Sequence, residues 1–394
     1  MRTNTRFVFV SHGNATHGAE LCLVETVKAL KVHGFEDIYV LLQRGGSYLE
    51  SLLVESGARI KHIHTHPRWV GQPLTFNQKL KWIRNTVRLF FKFRHILTEL
   101  KPDFVISNTV VCNPIFAIVS RLKRCKHIWY IHELGDKDHG YKYYFGKRFS
   151  WLIIKLFSDK IIVNSKFTFE HFTSKKYFDN KKIRVIYYAV PISRFRAIDP
   201  NFDKSISEKW TQLGSWKILI AGRTVEGKGQ EDIINALGML KAVHNVDNFH
   251  LTIIGQVDGD YNNKLLNLVD RHGLNKNITM IPFIDNPGPY FKEAHIGVTT
   301  SRNEAFGRVT VEYMKCNMVV AGANAGATNE IIENKGNGYL YELGDIKEFA
   351  DILFKAISNI DRSRELALNA RNKIEDRFNL HKHGKEIIGF LQGE

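Results

Sequence analysis

The chain is 394 residues long and 44% hydrophobic, more than one ordinary core needs, so two well-packed domains of about 190 residues each are expected. Its 56 Lys and Arg against 40 Asp and Glu leave a net charge of +16, a balance that draws polyanions. Four cysteines, Cys22, Cys112, Cys125 and Cys316, stand far apart without a Cys-x-x-Cys pair, which excludes a disulfide framework and fits reduced thiols in a cytoplasmic protein.

In chain order, apolar runs at 6–10, 38–42, 59–63, 104–107, 127–131, 160–163 and 184–187 predict strands in the first half, with helical patterns between them. The second half repeats the alternation at 217–221, 251–254, 278–281, 296–299, 319–321 and 339–341. Such alternation predicts parallel sheets with crossover helices, one Rossmann-like unit per half. From 191 to 214 the periodicity lapses and Pro, Asp, Ser and Asn accumulate. The expected domains are therefore 1–190 and 215–370, with a linker between them. The chain enters its first strand without an apolar leader, and no run approaches the roughly 18 apolar residues that span a bilayer. The longest candidate, 151–157, is interrupted by Lys155.

The charge is lopsided. Residues 1–200 hold 33 Lys and Arg against 15 Asp and Glu, leaving 23 and 25 for the remainder, so the whole excess lies in the first half. There the stretch 77–100 has helical spacing, with Leu80, Ile83, Val87, Phe90 and Leu97 expected to share one face. Lys81, Arg84, Arg88 and Lys92 form a stripe about 100° away. Trp82, Phe91 and Phe93 lie near the cations, and a second basic and aromatic cluster follows at 141–157. This is the composition of a surface that seeks anionic lipid; an ordinary amphipathic helix packed on its sheet has the same pattern. No RNA- or DNA-binding motif accompanies the charge, so nucleic acid is not an expected partner.

In the second half, Ile218-Leu219-Ile220-Ala221 reads as a buried strand running into Gly222-Arg223, with Lys228-Gly229 ahead of a helical pattern. The strand at 296–299 leads to Glu304-Ala305-Phe306-Gly307-Arg308-Val309, and Glu312 follows Glu304 by eight positions. A helix starting near Gly307 would set free N–H groups, and the positive end of its dipole, beside both acids. One carboxylate could accept hydrogen bonds from sugar hydroxyls and the other clasp a ribose diol. Arg223 and Lys228 could then supply cations to a diphosphate. Such a site suits a sugar diphosphate.

These residues are accompanied by Gly326-Ala327-Thr328-Asn329-Glu330-Ile331-Ile332 downstream and, in the first half, by His17-Gly18-Ala19-Glu20, Gly46-Ser47-Tyr48-Leu49, Ile131-His132-Glu133 and Ile162-Val163-Asn164-Ser165. In order and spacing the set resembles a retaining glycosyltransferase of family 4. The resemblance implies an α/β fold of GT-B type, two Rossmann-like domains with parallel sheets facing across a cleft. The first domain would take the acceptor and the second the nucleotide sugar, and the final helix, about 370–394, would pack back on the first. Residue by residue, the resemblance assigns Glu304 to hydroxyls of the donor sugar and Phe306, Gly307, Arg308 and Val309 to the loop whose amides hold phosphate. It assigns Glu312 to the ribose, and Arg223 and Lys228 to the diphosphate. In the first domain, Gly18 corresponds to the glycine near the donor phosphate and His132 to the active-site histidine facing the sugar. Three positions depart from the family pattern. His17 stands where a second glycine is usual, Arg308 where an aliphatic residue is common, and Asn317-Met318 where Gly-Pro is usual. Arg308 either adds charge to the phosphate site or points to solvent.

The implied reaction is attack by an acceptor hydroxyl on the anomeric carbon from the face that the diphosphate leaves, so that configuration is retained. Stabilised charge on the leaving group and positioning would supply the catalysis. The cations and the helix N-terminus would stand in for a divalent ion, so no metal and no cofactor is expected. The nucleotide sugar is a substrate, with a UDP-sugar favoured. The acceptor would be a glycan or lipid-linked one in cell-surface polysaccharide, lipopolysaccharide or glycolipid synthesis, at the inner face of the cell membrane. A nucleotide-sugar epimerase, or a non-catalytic nucleotide-sugar-binding or membrane adaptor, is the alternative. Asp258-Gly259-Asp260 is read as a surface turn rather than a metal pair. His62, His64 and His66 are read as an exposed strand end rather than a zinc site.

Overall fold

All thirteen expected strands form, and they sort into two parallel sheets. The structure, a computed structural model, describes the chain except residues 1–3, 14–15, 44, 64–67, 72, 136–141, 175–177, 179–180, 197–198, 212–213, 256–258 and 394, and the side chain of Arg194. Two compact units result, one of Met1–Ala189 with Asn379–Glu394 and one of Val190–Phe378.

The first unit holds β1 Phe7–Ser11, β2 Ile38–Leu42, β3 Arg59–His62, β4 Val70–Gly71, β5 Phe104–Asn108, β6 Lys126–Ile131, β7 Lys142–Tyr143, β8 Lys160–Val163 and β9 Ile183–Val185. Seven of these make one sheet in the order β3-β2-β1-β5-β6-β8-β9, and β4 pairs with β7 in a two-residue antiparallel ladder. In the centre of the sheet, Phe7 lies opposite Ile38 on one side and Phe104 on the other. Every residue of β1 and β5 is buried, as expected of parallel strands covered by helices on both faces.

The chain's last helix, Leu380–Gln392, belongs to this unit and buries Ile387, Phe390 and Leu391. Its His383 is fixed between two elements: Nδ1–H donates to the Tyr187 carbonyl at 2.7 Å, and Nε2 accepts from the Thr26 hydroxyl at 3.0 Å.

The helix Phe76–Leu100 corrects one expectation. Its buried face is Leu89, Phe93, Ile96, Leu97 and Leu100, whereas Leu80, Ile83 and Val87 are half exposed. The helix carries two apolar stripes, and the one whose Phe93 ring meets Phe116 edge-on at 4.8 Å wins the core.

The second unit holds β10 Trp216–Ala221, β11 Phe249–Ile254, β12 Ile278–Ile281, β13 Ile296–Thr299, β14 Val319–Ala323 and β15 Tyr339–Tyr341, in the order β12-β11-β10-β13-β14-β15. Strand order reverses between β10 and β13, as it does between β1 and β5 in the first sheet. In open α/β sheets, ligands bind beyond the carboxyl ends of the strands at this switch point. The 191–214 stretch does not stand apart as a linker. It carries the short helices Ser193–Arg196 and Phe202–Glu208 and packs within the second unit, with Phe195 against Phe202 and Phe291 and Trp210 in the core. Residues 370–377 end the helix Ile360–Arg377 of this same unit.

Candidate functional site

At the carboxyl end of β10, Gly222 opens a loop that passes Arg223 and a 3₁₀ turn, Glu226–Lys228, into the helix Gln230–His244. At the carboxyl end of β13, residues 300–307 lead to the helix Arg308–Lys315. The two loops are laced together. The Arg302 N–H donates to the Gly227 carbonyl at 3.1 Å, and the Thr300 hydroxyl donates to the Lys228 carbonyl at 2.7 Å. Gly229 holds φ +66°, and a Cβ there would lie 2.4 Å from the Thr300 carbonyl oxygen, so only glycine fits the crossing. Behind the crossing, Arg302 Nη2 reaches Glu231 Oε1 at 3.1 Å, and the Tyr261 hydroxyl donates to the same carboxylate.

The consequence is a defined pair: Lys228 Nζ stands 2.7 Å from Glu304 Oε2, with the Glu304 side chain 14% exposed. The Glu304 carbonyl accepts the Ala327 N–H at 2.8 Å, which pins the loop from the other side. Gly307 adopts a left-handed φ of +94° at the helix cap, a turn that favours glycine. The amides of Arg308 and Val309 then lead a helix that cannot satisfy them itself. Phe306 is buried edge-on against Phe378 at 5.5 Å and anchors the loop. Thr310 and Thr299 hydroxyls meet at 2.9 Å, tying the helix start to β13.

Glu312 is 4% exposed one turn into the helix, and Arg308 Nε donates to its Oε1 at 3.1 Å. Arg308 does not point to solvent, because its side chain is only 10% exposed. Arg223 is half-buried at the loop's start, where its carbonyl accepts from the Gln230 amide at 2.9 Å. Lys228, Glu304, Phe306, Gly307, Arg308, Val309 and Glu312 thus gather around the start of one helix.

Gly18 and His132 lie in the first unit. Gly18 opens the helix Gly18–Val32, and a Cβ on it would meet nothing within 4 Å. His17 before it holds ordinary extended backbone, φ −83° and ψ 179°, so its side chain introduces no strain. His132 follows β6 and is buried. Its partners fix its tautomer. Asn108 gives its amide N–H to the Ala19 carbonyl at 3.0 Å, so its Oδ1 must accept from His132 Nε2–H at 2.8 Å. His132 Nδ1 then accepts the Tyr188 hydroxyl at 2.5 Å, and that oxygen accepts the Asn164 amide at 2.8 Å. Burial pushes the His132 pKa down to about 3, so the ring is neutral.

Around it stand groups the sequence reading did not single out. Glu133 accepts the Val110 N–H at 2.9 Å and the His132 N–H at 3.2 Å. His12 Nδ1 lies 3.2 Å from Thr109 Oγ1 and 3.5 Å from Glu20 Oε1. Thr109 holds φ +101°, a costly conformation for a β-branched residue and one found at working sites. Burial raises the Glu20 carboxyl to about 7. Glu20 and Glu133 lay inside the quoted motifs and could have been named. Asn108 and Tyr188 reach His132 only through the fold.

Among the described residues, no group of three or more His, Cys, Asp or Glu is arranged to hold a metal ion, and no helix is long and apolar enough to cross a membrane. His62 Nε2 lies 3.2 Å from Glu50 Oε1, while His64, His66, Asp258 and Tyr141 lie outside the described residues.

With this geometry in place, the family model for Glycosyltransferase Family 4 matches residues 16–194, and that for Glycosyl transferases group 1 matches residues 202–373. The chain belongs to the group 1, family 4 glycosyltransferases. The capsular polysaccharide biosynthesis glycosyltransferase CapH of Staphylococcus aureus is 27% identical to this glycosyltransferase over 286 residues, 72% of this chain and 76% of the relative. The D-inositol 3-phosphate glycosyltransferase of Paenarthrobacter aurescens is 25% identical over 203 residues, and the match spans about half of each protein, 48% of this chain and 50% of the relative. Anabaena HepE, solved in complex with UDP and glucose, superposes with a TM-score of 0.77 at 22% identity, over 99% of this chain and 100% of that one. Likeness at that identity shows the fold, which is GT-B.

Proposed function

We propose that this glycosyltransferase moves a sugar from a nucleotide-sugar donor, a UDP-sugar in the favoured reading, to a hydroxyl of a glycan or lipid-linked acceptor, with retention and without a metal ion. The product would be a cell-surface polysaccharide, lipopolysaccharide or glycolipid. The observation that carries the donor half is the pairing of Lys228 with Glu304 at 2.7 Å beside the start of the helix Arg308–Lys315. An ammonium and helix amides suit a diphosphate, and the two acids suit hydroxyls. HepE was solved with UDP and glucose, and CapH is named for capsular polysaccharide synthesis, which supports the choice of base and product. As the anomeric carbon passes from the diphosphate oxygen to the acceptor oxygen, Lys228, Arg223 and the amides would stabilise the leaving group. His132, whose ring is kept neutral by burial, and Gly18 keep the roles the resemblance implies.

The first unit is proposed to rest on an anionic membrane surface at the inner face of the cell membrane. On the helix Phe76–Leu100 the exposed residues Phe76, Leu80, Ile83, Val87 and Phe91 follow one another at steps of four and three, a second apolar stripe. Trp82 meets Phe145 at 5.2 Å, and Phe145 meets the exposed Phe149 at 6.2 Å; the helix Lys147–Phe157 also exposes Leu152 and Leu156. Lys81, Arg84, Arg88 and Lys92 run beside the first stripe, and Arg148 stands beside the second.

The test is to incubate purified protein with labelled nucleotide sugars and membrane extract. Acceptor-dependent labelling of glycan from a UDP-sugar, unchanged by EDTA and with anomeric configuration kept, is the expected result. Isomerised free donor would make the protein an epimerase, and saturable binding without turnover would make it an adaptor.

A further inference from the structure

Arg308 is charge-paired with Glu312 but keeps two guanidinium nitrogens that its surroundings do not bond. The residue opens the helix Arg308–Lys315 directly after the left-handed Gly307, its side chain is nine-tenths buried, and Nε is spent on Glu312 at 3.1 Å. Neither Nη1 nor Nη2 has a hydrogen-bond partner among the described residues. A buried guanidinium with two unbonded amino groups is expensive to keep, and its planar fork matches the paired oxygens of a phosphate or carboxylate. Lys315, seven residues on and so on the same side of the helix, is itself buried and has its own acid, Glu375, at 3.3 Å.

An anion arriving alone at Arg308 would be opposed by Glu312. An anion joined covalently to a group that Glu312 hydrogen-bonds would not. A nucleotide meets that condition, because the ribose diol can donate to Glu312 while the phosphate on the same ribose accepts from Arg308.

We infer that the Arg308 side chain is a donor-binding residue: its Nη pair grips the diphosphate of the nucleotide while its Nε holds Glu312 toward the ribose, so that sugar ring and phosphate are recognised as one unit. The inference rests on the nucleotide-sugar reading of this site. Its chemistry differs from that of the neighbouring amides, which act whatever side chain stands at 308.

Calorimetric titration of the full chain with UDP, GDP and uridine tests it, using Arg308→Lys, which keeps a cation but loses the fork, and Arg308→Leu. Arg308→Lys is expected to weaken binding of the preferred diphosphate about tenfold or more while changing uridine affinity by about twofold at most. Arg308→Leu should weaken it further. Should Arg308→Leu fail to fold, shown by loss of its cooperative melt, Arg308→Lys alone decides. Equal loss for uridine and diphosphate would overturn the inference, since the arginine would then act only through Glu312; so would parental diphosphate affinity in Arg308→Lys. A parental protein that binds neither diphosphate overturns the nucleotide-sugar reading itself, and the inference with it.

Discussion

Lys228 is about one-third exposed, so its 2.7 Å contact with Glu304 contributes little to folding. Its proposed use is chemical. Glu304→Ala is therefore expected to lower kcat about a hundredfold or more, the usual loss when one transition-state contact goes, and to leave the melting temperature nearly unchanged. Initial-rate kinetics beside a thermal melt separate these. A parental rate in Glu304→Ala would remove Glu304 from the site.

Buried titratable groups set a second expectation at this scale. Burial pushes His127 and His132 down to about 3 and His383 to about 4, while an unfolded histidine takes its proton near 6.5. Their contribution is complete above pH 6.5 and is lost as pH falls toward the folded values, at up to about 1.4 kcal/mol per pH unit each. Glu20 works the other way. Raised from 4.5 to about 7, it binds a proton in the folded state that the unfolded chain releases, so it costs stability as pH rises from 4.5 to 7. Near pH 5.5 these four groups sum to an uptake of about two protons on unfolding, rising to about three in Glu20→Gln. Denaturant melts across pH read the slope directly, and an unchanged slope in Glu20→Gln would contradict the assignment.

At the scale of elements, the strands were legible because β-branched and aliphatic runs buried on both faces have few other uses. The candidate-site residues Glu304, Gly307 and Lys228 were legible for a related reason: each stands on the loop that follows such a strand at the switch point, and Glu312 follows one turn into the helix that the β13 loop leads to. Two things were hidden. The hydrogen-bond chain from Asn164 through Tyr188 and His132 to Asn108 and Ala19 joins residues far apart in sequence, and no local pattern announces it. The helix Phe76–Leu100 hid its packing because two apolar stripes compete and only the fold chooses between them. The stripe left outside yields a prediction. Ile83→Glu with Val87→Glu should reduce sedimentation with anionic vesicles about tenfold or more, since each buried aliphatic side chain contributes about 1.5–3 kcal/mol. The melting temperature should stay put because both side chains are already half exposed. Equal binding by the double variant and the parent would dismiss the stripe as a membrane face.

Across the whole molecule, the two units are built differently from the chain. The second is continuous, Val190–Phe378, whereas the first is interrupted and completed by Asn379–Glu394. The returning helix supplies buried Ile387, Phe390 and Leu391, and the Lys160 ammonium and Arg184 guanidinium both lie over the Phe390 ring, at 4.5 and 4.8 Å. Removing one buried phenylalanine alone costs about 3–5 kcal/mol, a large share of a domain's stability. The first unit therefore cannot reach its final stability until residues 379–394 are made, although most of it is made well before them. A fragment of residues 190–378 should unfold cooperatively by itself. A fragment of residues 1–189 should melt well below the corresponding transition of the intact chain and bind a hydrophobic dye, and the peptide 379–394 added in trans should raise its melting temperature. If residues 1–189 alone melted as they do in the intact protein, the closing helix would be an ornament on a finished core rather than part of it.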